Sequence, residues 1–420
     1  MSTPSRSVVR LFKSWLVPLS ALPTALYACA AGQDPPAQVD DAGAFEASSL
    51  PEPDPDAGAG PSADSGGTPD AALPVKCSSD GFCPTELPLQ RPLAAVSGTG
   101  ADDVWAVGGE AILKWDGTAW KIAYQYGEPR TSLLTGVWTR RRDDAWFIGS
   151  DILIRYSGKD GAPPTFREFP VAFGPATNQG NWLTPAGDAL WAVRDTAEVV
   201  RFREDADGNV LDDRLSPKTG PTDRTTYRWR AVWGNGPDDV YVSGLSYVGN
   251  VLFGRATIAH YDGVNWTITP SADRNQIGGF FSAHTTGAGS LSQLWVRLHP
   301  SRTGYFLYTS TEDGGLGASQ YMATPDPKCT SGNSAGFPLA ADDVWLSSGC
   351  LVYRWNGTAL KPVAISYSGG PLGGFRGIWA GADGEVWVVG QSVPQDPNFM
   401  PGAGFALHRT AATTPQGAQP

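Results

Sequence analysis

The side chains that most often carry out catalysis are scarce in this chain. His260 stands directly before an aromatic residue at the end of a predicted strand, and His408 falls at or beside the same position. A position that alternates among Lys, Arg and His across repeats indicates a scaffold role, since functional sites are rarely repeated unit by unit. His299 is the one histidine that the sequence places in a ligand-facing loop; the fourth, His284, lies on a predicted strand. In other copies of the strand that holds His260, the same position is occupied by Lys114, Arg155, Arg201 and Arg354.

One stretch of the sequence has the letters of the GxSxG motif of nucleophilic serine enzymes, Gly332-Asn333-Ser334-Ala335-Gly336. The GxSxG nucleophile requires a strand-to-helix turn in an α/β sheet, and this chain offers no such turn. No Ser/His/Asp set can be assembled around Ser334. We therefore predict no catalytic residue and no cofactor, although carboxylates are numerous enough to leave a glycosidase pair open.

A calcium site has one candidate, formed by Asp205, Asp207 and Asn209. These residues resemble part of a DxDxDG calcium loop, but Arg203 stands where the first ligand belongs. The alternative is a plain polar hairpin. We favour the hairpin and predict no metal.

The elements that would position such groups are short strands in a repeated pattern. Four copies read LAAVSGTGADDVWAVG, LTGVWTRRRDDAWFIG, RAVWGNGPDDVYVSG and FRGIWAGADGEVWVVG, and weaker copies centre on Trp191, Trp295 and Trp345. The mean spacing of the aromatic anchors is 47 residues, with about four strands per unit, which indicates the blades of a β-propeller. The seven anchors are Trp105, Trp146, Trp191, Tyr241, Trp295, Trp345 and Trp387. We predict an all-β, seven-bladed propeller over residues 77–412, followed by a disordered tail at 413–420.

Each predicted unit has strands A to D, and strand B is apolar at successive positions, so both of its faces must be buried. Acidic pairs such as Asp102-Asp103 fill four A–B turns, where we expect them to accept hydrogen bonds from the turn. The last unit lacks a strand D. We predict that Thr85–Gln90 supplies it and thereby closes the ring.

The N-terminal region has three parts. A positive segment followed by an apolar run over residues 1–28 predicts an export signal, too short to span a bilayer. It ends in Leu26-Tyr27-Ala28-Cys29, which resembles the bacterial lipobox and implies lipid attachment at Cys29. Residues 29–76 read as a disordered tether, because Pro, Ala, Gly, Ser and nine acids dominate it. We expect an exported protein, anchored in the outer membrane or on the surface of a Gram-negative bacterium.

The remaining cysteines fit an exported protein. Four cysteines remain, and this even number allows three pairings among Cys77, Cys83, Cys329 and Cys350. We favour disulfides within each pair that is close in sequence, Cys77 with Cys83 and Cys329 with Cys350.

Residues 85 to 410 resemble the bacterial propeller repeats typified by DVWAVG followed by ILxWDGxxW, a degenerate relative of kelch and BNR repeats. Such repeats are common in secreted or lipid-anchored proteins. Ala380–Gly390 is also similar to the strand pair of sensor-kinase periplasmic propellers. The resemblance implies the fold and leaves the function open.

Long predicted B–C and D–A loops gather on one face of the ring, which favours a binding surface around the channel mouth. The alternative is drift in unconstrained loops. We expect a non-enzymatic binding or scaffold module for protein or polysaccharide. The alternative is a carbohydrate-active enzyme with acidic residues at the channel mouth, and a third possibility is an assembly factor without a small ligand. The candidate contact residues are Arg224, Tyr227, Tyr247, Phe253, His299, Arg302, Tyr305 and Phe399.

The net charge and its distribution limit the classes of binding partner. The chain carries −11, most of it in the tether, which leaves −5 for residues 76–420. No basic stripe indicates nucleic acid, and no polybasic patch indicates anionic lipid. We expect a monomer that touches a membrane only through its lipid anchor.

Overall fold

The computed structural model describes the folded unit in sixteen segments, and every structural statement below refers to them. They are residues 77–125, 133–158, 164–171, 182–186, 189–193, 196–217, 225–248, 254–270, 281–284, 293–297, 304–310, 316–323, 334–348, 351–365, 372–392 and 402–410.

Within these segments all regular structure is β, arranged as seven four-stranded antiparallel sheets. Blade 1 contains β2 (Ala95–Gly100), β3 (Asp103–Gly108), β4 (Ala111–Trp115) and β5 (Trp120–Gln125). Blade 2 contains β6 (Gly136–Arg141), β7 (Asp144–Ile148), β8 (Ile152–Ser157) and β9 (Thr165–Pro170). Blade 3 contains β10 (Trp182–Ala186), β11 (Ala189–Val193), β12 (Val199–Glu204) and β13 (Val210–Arg214). Blade 4 contains β14 (Thr225–Gly236), β15 (Asp239–Val248), β16 (Arg255–Tyr261) and β17 (Trp266–Pro270).

The other three sheets follow the same plan, except that the last takes one strand from the start of the fold. Blade 5 contains β18 (Phe281–His284), β19 (Gln293–Arg297), β20 (Gly304–Ser310) and β21 (Leu316–Ala323). Blade 6 contains β22 (Ser334–Ala340), β23 (Asp343–Ser348), β24 (Leu351–Trp355) and β25 (Leu360–Val363). Blade 7 contains β26 (Leu372–Ala380), β27 (Val386–Ser392), β28 (Gly404–Arg409) and, outermost, β1 (Phe82–Thr85).

The first strands of successive blades contact one another in a closed cycle. β2 contacts β6, and the series continues through β10, β14, β18, β22 and β26, which contacts β2 again. These are the inner strands of a ring. The all-β class and the β-propeller fold predicted from the repeat are therefore confirmed. No helix in the described segments is long and apolar enough to cross a membrane.

An N-terminal strand closes the last blade, as predicted, but it starts earlier than the predicted segment. β1 pairs with β28, with Phe82 opposite Arg409 and Thr85 opposite Ala406. The predicted strand Thr85–Gln90 therefore starts three residues too late. Phe82 is fully buried against Trp345 and anchors the earlier segment, whereas Leu87 is buried in a cluster shared with blade 1. The chain after Thr85 thus crosses toward blade 1 and no longer lies along β28.

The core lies between blades. Every residue of β3, β7 and β11 is buried, as expected for strand B when its sheet is covered on both faces. Trp105 packs against Phe147 and Tyr156 of blade 2, so the aromatic anchor of one blade is buried by the next. Burial of such rings dominates the stability of a sheet stack.

Candidate functional site

Six of the seven blades contain a repeated unit of a carboxylate, a cation and an aromatic ring, and in blade 5 the cation position is Leu307. In blade 1, Asp103 at the start of strand B accepts from Lys114 at 3.2 Å, and the Lys114 ammonium lies 4.6 Å from the centre of the Trp105 ring. Lys114 and Trp105 are opposite each other in the β3–β4 ladder. The carboxylate therefore holds the cation over the ring, where the cation–π attraction stabilises both.

The second residue of the acidic pairs serves this unit and not the turn, which corrects the turn role predicted for it. Asp103 is buried and also accepts from Thr99 and from the Trp105 indole. Turn chemistry belongs to the C–D hairpins, where the Asp116 carboxylate accepts from the N–H groups of Thr118 and Ala119. Asp144 is likewise buried and accepts from Arg155.

The two histidines whose side chains are described occupy the cation position. His260 bonds Asp239 at 2.9 Å and stacks on Tyr241. His408 bonds Glu385 and stacks on Trp387 with 4.0 Å between ring centres. Their geometry matches that of Lys114, so both act in the scaffold, as the repeat predicts.

The residue after the cation position lies at or near the end of strand C, and in three interfaces its ring packs near the anchor of the preceding blade. Tyr156 lies 4.6 Å from Trp105, Tyr261 lies 5.5 Å from Trp191, and Trp115 lies 5.0 Å from Trp387 between ring centres. In six blades this residue is aromatic, and in blade 7 it is Arg409. The seven positions, each paired with the residue directly before the aromatic anchor of the same blade, are Trp115, Tyr156, Phe202, Tyr261, Tyr308, Trp355 and Arg409.

Arg409 places a charge where the other interfaces have a ring. Its guanidinium lies 5.6 Å from the centre of the Trp345 ring. Its hydrogen bonds go to the carbonyl oxygens of Asp80, at 3.1 Å, and Gly384, at 3.3 Å. Within the described part of the chain, no carboxylate forms an ion pair with Arg409. This guanidinium is therefore held by neutral groups.

The result is an open cleft between blades 6 and 7, with a volume of about 650 Å³. We call it the blade 6–7 cleft. Its positive side chains come from three strands, Arg354 on β24, Lys361 on β25 and Arg409 on β28. Its lining is Ser79, Asp80, Gly81, Trp345, Arg354, Asn356, Lys361, Pro362, Val363, Arg409 and Thr410.

The charges of the cleft are unevenly balanced. Asp343 binds Arg354 through two hydrogen bonds of 2.7 and 2.8 Å, and this pairing raises the pKa of the Arg354 guanidinium. The Asp80 carboxylate accepts from the backbone N–H of Ala364. Lys361 is exposed and lies directly opposite Arg354 in the ladder. The cleft thus presents an excess of positive charge.

A short N-terminal turn forms one wall of the cleft. The backbone N–H of Ser78 donates to Phe82, that of Gly81 donates to Ser78, and Gly81 has a φ of 82°. This left-handed backbone suits glycine. The disulfide predicted between Cys77 and Cys83 is present and closes the turn. The turn therefore holds Ser79 and Asp80 at the edge of the cleft.

The predicted contact residues that the structure describes differ in burial. Tyr227 and Tyr305 are 8% and 1% exposed; Tyr227 stacks on Trp229, and the Tyr305 hydroxyl donates to the carbonyl oxygen of Ser347. Neither ring is available to a ligand, which corrects the expectation for both. The strand pattern brings them inward because strand A and strand C residues are sandwiched between blades.

Tyr247 remains a predicted contact residue. It is partly exposed near the end of β15, with the Arg228 guanidinium 5.8 Å from its ring centre. The other predicted positions lie outside the described residues: Cys29, Arg224, Phe253, His299, Arg302, Cys329, Cys350 and Phe399.

The calcium candidate folds as a hairpin. The Asp205 carboxylate accepts from the backbone N–H groups of Asp207 and Asn209 and from the Asn209 amide. The Asn209 N–H is the main reason that the pKa of Asp205 is lowered. In the described segments no group of three or more His, Cys, Asp or Glu side chains is arranged to hold a metal ion.

Sequence reasoning missed the blade 6–7 cleft because it examined loops on the opposite end of the blades. Asn356 is in the C–D turn, so the cleft opens at the end that carries the A–B and C–D turns. The sequence nevertheless contains a pattern that distinguishes blade 7 from the other blades. The strand C endings read KW, RY, RF, HY, LY and RW in six blades but HR in blade 7.

Comparison with known proteins supports the fold and leaves the ligand unassigned. No protein-family model matches the chain, and no curated protein matches it. The extracellular domain of a hybrid two component system from B. thetaiotaomicron is 12% identical with a TM-score of 0.52; the match covers 78% of this chain but only 39% of that one. YCF48 bound to D1 peptide is 12% identical, with a TM-score of 0.49 and coverage of 79% and 97%. YCF48 from Cyanidioschyzon merolae is 15% identical, with a TM-score of 0.48 and coverage of 79% and 98%. At these identities the likeness is one of fold, the β-propeller.

Proposed function

We propose that this protein is an exported, lipid-anchored propeller that binds a protein or polysaccharide without transforming it. In this proposal residues 1–28 direct export, Cys29 carries the lipid and residues 29–76 hold the propeller away from the membrane. The observation that carries the binding role is the blade 6–7 cleft, in which three cations converge at an otherwise regular blade interface.

The chemistry of the cleft favours binding over hydrolysis. A glycosidase needs two carboxyl groups facing each other across the scissile bond. The lining of this cleft has one, Asp80, and an oxygen of that carboxylate already accepts from Ala364. Cations and neutral donors remain, and such groups recognise an anion without providing a general acid and base.

A binding experiment that also detects turnover tests this function. The full mature chain, purified in detergent, is applied to arrays of polysaccharides and peptides, and bound ligands are then incubated with it for hours. We expect saturable binding with no change in the length of the ligand. Accumulation of shortened or unsaturated products would contradict the proposal and support a carbohydrate-active enzyme.

The anchor is tested separately. A chain with Cys29→Ser should no longer incorporate labelled fatty acid and should be recovered in the soluble fraction after lysis. Incorporation of the label into the Cys29→Ser chain would overturn lipid attachment at this residue.

A further inference from the structure

We infer that the blade 6–7 cleft binds an acidic polysaccharide, a chain with carboxylates on successive sugars, and that Arg409 determines this specificity. The inference rests on the proposed binding function and names its ligand. It depends on the one interface position where the repeat is broken and on the charges that surround it.

Arg409 stands where the six other blades have an aromatic ring, and its structural contacts are all with neutral groups. In the blade 1–2 interface the equivalent Tyr156 contacts two aromatic rings, Trp105 and Phe166. Arg409 contacts Trp345 and two carbonyl oxygens instead. A guanidinium is a fork of donors that matches a carboxylate, and here much of that fork has no anionic partner.

A second pair of charges points the same way. Arg354 and Lys361 are directly opposite each other on β24 and β25. Like charges at such a position repel each other, and an anion between them would relieve the repulsion. Asp343 neutralises Arg354, but no carboxylate of the described residues pairs with Lys361. Arg409 and Lys361 therefore both have room for a ligand anion.

Blade 1 has the same arrangement of two opposed cations, but there each cation has a carboxylate partner in the protein. Lys114 and Lys121 are opposite each other in the same register. There Lys121 pairs with Asp116 of its own hairpin at 2.5 Å, and Lys114 pairs with Asp103. In blade 6 the residue equivalent to Asp116 is Asn356, which has no charge. The carboxylate missing from this turn is one that a ligand can supply.

The edges of the cleft favour a sugar chain over a peptide. A peptide gains affinity by adding a strand to a free sheet edge. Both outer strands next to the cleft contain proline, Pro362 on β25 and Pro84 on β1, and proline removes a donor from an edge. The Asn356 oxygen accepts from Thr358 and Ala359, which leaves its NH₂ group for a ligand hydroxyl.

The test uses the full mature chain in detergent and three probes of similar length. These are an oligogalacturonate, a neutral dextran and a poly-glutamate peptide. We expect the oligogalacturonate to bind and the dextran not to bind. Arg409→Gln and Lys361→Gln should each weaken oligogalacturonate binding by about tenfold, since each removes one charged hydrogen bond. The matched control Lys121→Gln should change it less than twofold.

Each outcome has a distinct meaning. Equal effects of Lys121→Gln and Lys361→Gln would show a nonspecific charge effect and overturn the inference. Tighter binding of poly-glutamate, with the same dependence on Arg409 and Lys361, would make the ligand an acidic peptide and overturn the polysaccharide assignment, while the binding function stands. Cleavage of the oligogalacturonate would contradict the non-enzymatic function itself. Because Lys361 is exposed, its substitution tests the cleft without disturbing the fold.

Discussion

Two interfaces of the same ring, one between blades 2 and 3 and the other between blades 6 and 7, differ in the volume of the cavity between the blades. Both contain an arginine over a tryptophan, Arg155 over Trp146 and Arg354 over Trp345, each at 5.2 Å. The blade 2–3 interface encloses a cavity of about 40 Å³, and the blade 6–7 cleft has about 650 Å³. A shared scaffold unit is therefore compatible with a closed interface or with an open cleft.

The difference comes from what the next blade contributes. Blade 3 supplies Phe202, which is 3% exposed in a cluster with Trp146, and Glu204, which pairs with Arg155. Blade 7 supplies Arg409, a third cation, at the position of Phe202. Ring and carboxylate close one interface, and a guanidinium leaves the other open and positive. The open or closed form of a blade interface thus follows from the side chains that strand C of the next blade supplies, Phe202 and Glu204 in one case and Arg409 in the other.

The strongest test of the comparison exchanges these two residues. Phe202→Arg should lower the free energy of unfolding by about 3–5 kcal/mol, because it buries a charge without a partner. Arg409→Phe should leave stability unchanged or raise it by about 1 kcal/mol, since the ring can pack on Trp345. Denaturant unfolding measures both. A similar loss of stability in the two variants would mean that the interfaces do not differ as described.

Removal of the disulfide between Cys77 and Cys83 should have the next largest effect on stability. A double change, Cys77→Ser with Cys83→Ser, should lower the free energy of unfolding by about 2 kcal/mol, because the bond closes a short loop in the unfolded chain. It should also weaken oligogalacturonate binding, since the loop holds Ser79 and Asp80 at the cleft. Unchanged stability together with unchanged binding would show that the turn keeps its position without the bond.

The ion pair between blades 2 and 3 has a smaller role. Glu204→Gln should cost about 0.5–1 kcal/mol, because the side chains of Arg155 and Glu204 are 24% and 34% exposed and water screens their attraction. The control Glu110→Gln breaks a pair with Arg91, whose side chain is 56% exposed, and should cost less. Equal costs in urea unfolding would count against a special role for the interblade pair.

The smallest effect concerns pH and the hairpin that distinguishes blade 1 from blade 6. Lys121, together with the N–H groups of Ala119 and Thr118, lowers the pKa of Asp116. A carboxyl group with a lowered folded pKa stabilises the protein above its unfolded pKa of about 3.9, and the contribution is lost as the pH falls below that value. Asn356 makes the same turn bonds without a charge.

Asp116→Asn should therefore be slightly less stable than the parent chain near neutral pH and should lose less stability than the parent chain between pH 4 and pH 2. Thermal unfolding at several pH values measures this. Parallel pH profiles for the two chains would show that Asp116 does not contribute to acid sensitivity.

The sequence predicts the fold well and the site poorly, for physical reasons. A strand such as Val104–Val107 is apolar at successive positions, and only a sheet covered on both faces can bury it, so the propeller follows from the repeat. The closing strand was misplaced by three residues because Phe82, buried against Trp345 of the neighbouring blade 6, fixes its position, and this contact joins residues far apart in the sequence. Tyr227 and Tyr305 were expected at a surface because aromatic residues near loops suit ligands, but their rings are buried between blades. Arg409 becomes notable only when strand endings are aligned by their pairing.

The most direct test of the central claim is a crystal structure of the mature chain with an oligogalacturonate. We expect sugar carboxylates within hydrogen-bond distance of Arg409 and Lys361, between β25 and the turn at Ser79 and Asp80. A ligand seated instead at the opposite end of the blades, beside Tyr247 and Arg228, would contradict the assignment of the blade 6–7 cleft.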